Sequence, residues 1–104
     1  MPTPRMETLK TMLLDSPRNT FARYGLAMEH VNASEFDQAV TEFHTLLEID
    51  PKYCAAYYHG GQTLEKMGRT DDAKSIYNDG LRACQQVGDA HTASEIQAAL
   101  DGLG

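Results

Sequence analysis

Tryptophan is absent from this chain of 104 residues, cysteine occurs twice, and lysine plus arginine number nine against fifteen aspartates and glutamates. Two cysteines at this length are not a disulfide framework. A formal net charge of −6, with no local lysine or arginine cluster to offset it, repels a phosphate backbone and excludes nucleic acid as a partner. No run approaches the ~20 apolar residues that a membrane helix needs. The start, Met1 to Lys10, interleaves charged with apolar residues and lacks the continuous apolar segment of a secretory signal. A cytoplasmic address, away from membranes, is the expectation. Nucleophile elbow, phosphate-binding loop and dinucleotide fingerprint are all missing, and no stretch alternates as a strand.

What the chain does have is a period. Displaced by 34 residues, Pro17 falls on Pro51, Tyr24 on Tyr58, Ala27 on Gly61, Ala39 on Ala73, Phe43 on Tyr77 and Leu47 on Leu81. A fixed repeat in this range marks a solenoid, whose units bury their apolar faces only against neighbours. By length the chain is one domain.

Helix starts and stops divide it into about six short antiparallel helices. Thr3-Pro4 opens the first, with Met6, Leu9 and Leu13 at helical spacing. The same device at Ser16-Pro17 is expected to open the second, which carries Phe21, Tyr24, Met28 and Val31 along one face and stops near Asn32. Ser34 is expected to cap a third, with Ala39, Val40, Phe43, Leu46 and Leu47 as its buried stripe. Asp50-Pro51 ends it and starts a fourth that stops at Gly68. Thr70 is expected to cap a fifth, closing near Gly88, and Asp89 opens a sixth with Ile96, Leu100 and Leu103.

In this arrangement the chain resembles the tetratricopeptide repeat (TPR) family. The family pattern sets a large residue, Leu-Gly and Tyr in the first helix of each unit, Ala and Phe in the second, and a closing Pro. Here the first unit reads Arg23, Leu26-Ala27, His30, Ala39, Phe43, Pro51; the second reads Tyr57, Gly60-Gly61, Leu64, Ala73, Tyr77, with Gln85 in place of the proline. Small residues at 27, 39, 61 and 73 let helices cross at close range, and the aromatic residues fill the gap between hairpins. The resemblance implies an all-α, TPR-like solenoid over the whole chain. Its parts are an N-terminal half-repeat helix (1–16), repeats at 17–51 and 52–87, and a C-terminal capping helix (88–104). With no proline at 85 the fifth helix runs on, so a slip of about two residues is needed to turn Ala93, Ile96 and Leu100 inward.

The resemblance further implies a concave groove lined by the first helix of each pair, where peptides bind. Its positions here are Phe21, Tyr24, Met28 and Val31, followed by Tyr58, His59, Gln62, Glu65 and Lys66. The first stripe is apolar for a face that meets water, which suits a contact surface. The opposing reading has the N-terminal helix fold over Phe21 and Met28 as ordinary core. Co-chaperones of the family clamp chaperone C-termini with Lys, Asn and Arg; Tyr24, Met28 and His59 stand at those positions, so that role is not expected.

None of the four histidines is spaced at four from another His or a Cys, so neither metal nor cofactor is expected. Cys54 and Cys84 open and close one hairpin and read as small free thiols. The expectation is a non-enzymatic module for a protein or peptide partner, with a homodimer through the apolar stripe as the alternative.

Overall fold

Six helices follow one another in the computed structural model, which describes residues 2–104: α1 (Pro4–Asp15), α2 (Thr20–Asn32), α3 (Phe36–Ile49), α4 (Cys54–Lys66), α5 (Thr70–Val87) and α6 (Ala90–Gly102). The described residues contain no strand. The period reappears in the helix starts, since 54 − 20 = 34 and 70 − 36 = 34. It then slips. Relative to α3, α5 ends four residues late (87 − 49 = 38), and α6 begins 36 residues after α4 (90 − 54). With no proline at Gln85 to stop it, α5 continues to Gly88, whose left-handed φ of 76° closes the helix.

Three sequence expectations about helix ends are corrected. Pro17 and Pro51 lie in turns rather than in the first turn of a helix; α2 is opened by Asn19, whose side chain accepts from the Ala22 amide at 3.0 Å. Ser34 does not cap α3. It is the left-handed residue that ends α2, at φ 59°, and the next amide, Glu35, returns to the His30 carbonyl at 2.8 Å. Gly68 does the same for α4 at φ 75°, with the Arg69 amide on the Leu64 carbonyl at 2.9 Å. Asn32 is the last residue of α2, where the sequence suggests that the helix stops. Thr70 is the first residue of α5, and no side chain caps that helix. Capping at Thr3 and Asp89 is as the sequence suggests.

Packing follows the small residues. Ala27, Ala39 and Ala56 are fully buried around Phe43 and Leu46, joining α2, α3 and α4. Tyr77 is also fully buried, and its ring lies so close to the Cα of Gly61 that any Cβ there would overlap it. Gly80 allows a close approach on both sides, since a Cβ there would come within 2.5 Å of Tyr57 Cβ on α4 and 2.9 Å of Ile96 Cδ1 on α6. Ile96 is fully buried and Ala93 and Leu100 are half-buried, so α6 sits in the slipped register and covers the last hairpin. At the other end, Met6 and Leu9 of α1 pack on Ala22 and Leu26 of α2.

One polar contact repeats with its donor exchanged. Tyr57 Oη donates to the Pro51 carbonyl at 2.5 Å, and one period earlier Arg23 Nη2 donates to the Pro17 carbonyl at 2.9 Å. Arg23 also pairs with Glu42 at 2.7 Å, so a charge occupies a largely buried position with a partner.

Two substitutions test these crossings. Gly61→Ala gains helix propensity of about 1 kcal/mol but forces the buried Tyr77 ring to move; a net loss of about 2 kcal/mol or more in urea unfolding is expected. Ser34→Gly relieves a left-handed residue with a side chain, and a gain of about 0.5–1 kcal/mol is expected by the same measurement.

Candidate functional site

The side of α4 turned away from Tyr57 carries Tyr58, Gln62 and Lys66, because residues one, five and nine positions on from Tyr57 lie about 100°, 140° and 180° around the helix from it. Tyr24 of α2 approaches this face. Its ring centroid lies 6.0 Å from that of His59, and His59 lies 5.2 Å from Tyr58, both edge-on. His59 therefore stands between the two tyrosines that lie one repeat apart. Tyr53, in the turn before α4, completes the row at 5.4 Å from Tyr24. Beneath them Phe43 meets Tyr24 edge-on at 6.4 Å, anchoring the row to the core.

The nine groove positions thus divide into several groups. Tyr24, Tyr58, His59 and Gln62 form one cluster, in which Gln62 Nε2 donates to Tyr58 Oη at 2.7 Å. Met28 and Val31 are half-buried against the Phe43 and Leu46 cluster. Phe21 is 67% exposed at the edge, and α1 packs elsewhere on α2, so the N-terminal helix does not cover it. Glu65 accepts a 2.5 Å hydrogen bond from Tyr77 Oη, which ties it to α5. Lys66 is 5.9 Å from the centre of the Phe36 ring and so reaches toward the start of α3.

The sequence period did not disclose Tyr53. Its counterpart one repeat earlier is Asn19, the residue that caps α2, so nothing in the alignment of the repeats marks an aromatic there.

Burial sets the electrostatics of the row. It pushes the Tyr24 hydroxyl up, with Tyr53 adding to the effect, and pushes Tyr77 up further, reinforced by its bond to Glu65. Burial also holds the His59 imidazole below its ordinary value of 6.5; Lys66 adds to this and Glu95 of α6 opposes it. Both shifts favour the neutral forms of Tyr24 and His59. His30 Nδ1 lies 3.0 Å from Glu35 Oε1 where the family pattern has tyrosine, and His44 and His91 are exposed. Among the described residues no three His, Cys, Asp or Glu side chains are grouped to hold a metal ion, and no helix is long and apolar enough to cross a membrane. Cys54 and Cys84 are buried free thiols; burial pushes the Cys84 thiol well up, with its hydrogen bond to Cys54 adding to this.

Consecutive antiparallel helix pairs, stepped by a fixed period and crossing at small residues, define a helical-repeat solenoid. The chain belongs to the tetratricopeptide repeat family. It is 36% identical to a tetratricopeptide repeat domain protein from Salinibacter ruber, covering 82% of this chain and 94% of that one with a TM-score of 0.77. A TPR repeat-containing protein of Pseudomonas aeruginosa is 26% identical over 95 residues, which span 91% of this chain and 90% of the relative. The TPR2B domain of yeast Sti1, solved as a complex with pHsp70, shares the fold at a TM-score of 0.88 and 15% identity, over 94% of this chain and 78% of that one. No family profile matches the chain.

The His59 shift carries a pH signature. A histidine whose folded value is depressed favours the neutral form, so its contribution is present above the unfolded value near 6.5 and is lost as pH falls through it. Urea midpoints of the wild type are expected to fall between pH 7.5 and pH 5.5 by more than those of His59→Gln.

Proposed function

We propose that this protein is a non-enzymatic binding module that holds an extended or helical segment of another protein along the concave face formed by its first-of-pair helices. The observation that carries this reading is the row Tyr53, Tyr24, His59 and Tyr58, half-buried and anchored from below by Phe43. Tyrosines combine apolar area with a polar tip and lose little freedom on binding, and rings already seated on a core need no reordering. Phe21, Met28 and Val31 extend the surface with apolar area, while Glu65 and Lys66 lend it a polar end. The Sti1 domain with pHsp70 supports such a use of the fold, but this chain has neither the lysine nor the asparagine at 24 and 28 that a carboxylate clamp of the family would use. We therefore assign a partner segment recognised chiefly by apolar and aromatic contacts.

Tyr58→Ala is expected to weaken a partner recovered by the wild-type chain by about 1–2 kcal/mol in isothermal titration. Unchanged affinity for both Tyr24→Ala and Tyr58→Ala, with each variant still helical, would remove the reading. A homodimer is the second reading, favoured by the exposure of Leu14 (82%) and Phe21 (67%) near one end of the chain. A monomer whose sedimentation is independent of concentration would exclude it.

A further inference from the structure

A groove of about 580 Å³ lies between α3 and α5, with α4 as its floor. Tyr57 and Leu64 of α4 form that floor, with Leu47 of α3 and Ile76 of α5 lining the walls; Tyr57, Leu64 and Ile76 are buried, so little apolar surface is left for a broad partner. Charge gathers on the rim instead. Glu48 stands on the α3 side, and Asp72 and Asp79 on the α5 side, against one cation, Arg69. Arg69 is held by Asp72 at 2.7 Å, and Asp79 has Arg82 beside it on its own helix in an exposed pair. Glu48 makes no ion pair among the described residues.

A narrow apolar floor flanked by carboxylates on both walls matches one side chain in particular. The aliphatic stem of arginine covers apolar surface while its charged head remains at the rim, and the planar guanidinium meets carboxylates through paired hydrogen bonds. The face of an aromatic ring adds attraction for the same cation. We propose that the α3/α5 groove is a second binding surface, distinct from the aromatic row, and that its occupant is an arginine-bearing segment of a partner protein. The stem lies over Leu47 and Ile76, and the guanidinium bridges Glu48 and Asp79. The exposed Asp79–Arg82 pair is no obstacle, since ion pairs at such sites are worth little and exchange readily.

The test is an amide NMR titration of the full chain with a synthetic peptide of alternating arginine and leucine, beside a twin carrying citrulline, the neutral isostere, for each arginine. Saturable shifts are expected at Leu47, Glu48, Ile76 and Asp79, with affinity lower by about tenfold for the citrulline peptide and for the double variant Glu48→Gln, Asp79→Asn. Both substituted carboxylates are exposed, and circular dichroism confirms that the variant is folded. Equal affinity of the two peptides overturns the proposal, as do shifts confined to the Tyr24–Tyr58 row or no shifts at all. Self-association of the protein alone that shifts the same amides overturns it too, and assigns the groove to a second copy. Because Tyr24→Ala and Tyr58→Ala leave this groove intact, failure of the concave-face reading and failure of this one are separately visible.

Discussion

The structure depends on helices that approach one another closely enough for an aromatic ring to fill the space a side chain would otherwise take. Gly61 against Tyr77 is the tightest such place, and Ala27 and Ala39 about Phe43 repeat it one unit earlier with slightly larger residues. Dense packing at these crossings sets the distance and angle between helices. Once that step is set, every other side chain has an assigned face. A chain this short, without disulfides, holds itself together by stacking, so each hairpin depends on its neighbour.

Around that constraint the two hairpins substitute freely. The bond to the proline carbonyl is made by a guanidinium in one and a phenol in the other. Val31, half-buried against the Phe43 cluster, becomes Glu65 bonded to Tyr77 in the next unit. At 31 and 65 apolar contact and hydrogen bond serve the same seat because neither leaves a buried polar atom unpartnered there, whereas Arg23 Nε in the first unit is buried without a partner. Such tolerance explains how the scaffold is conserved between units while their outward chemistry differs: an aromatic row on one face, a carboxylate-rimmed groove on another.

The same tolerance limits what repeats can disclose. Helix number, the role of residues 27, 39, 61 and 73, and even the two-residue slip of α6 were legible, because each follows from spacing and size. Helix ends were less so. The prolines at 17 and 51 mark where one helix stops, but the next begins three residues later, since the chain needs a turn to reverse direction. Ser34 reads as a cap on composition, whereas the turn after α2 demands a left-handed residue at that point and obtains it without glycine. Tyr53 as a neighbour of Tyr24, and Glu95 as a charge acting on His59, were invisible, lying in a turn and on a helix outside the regular register.

By itself the amino-acid sequence determined the class of architecture, the period and the small-residue crossings, because those depend on residue size at regular intervals along one chain. Only the tertiary structure decided which rings meet, that His59 separates Tyr24 from Tyr58, that Phe21 stays open to water, and that Glu48 and Asp79 line one groove. Those relations join residues of different helices, and their geometry is set by how the helices cross rather than by any spacing along the backbone.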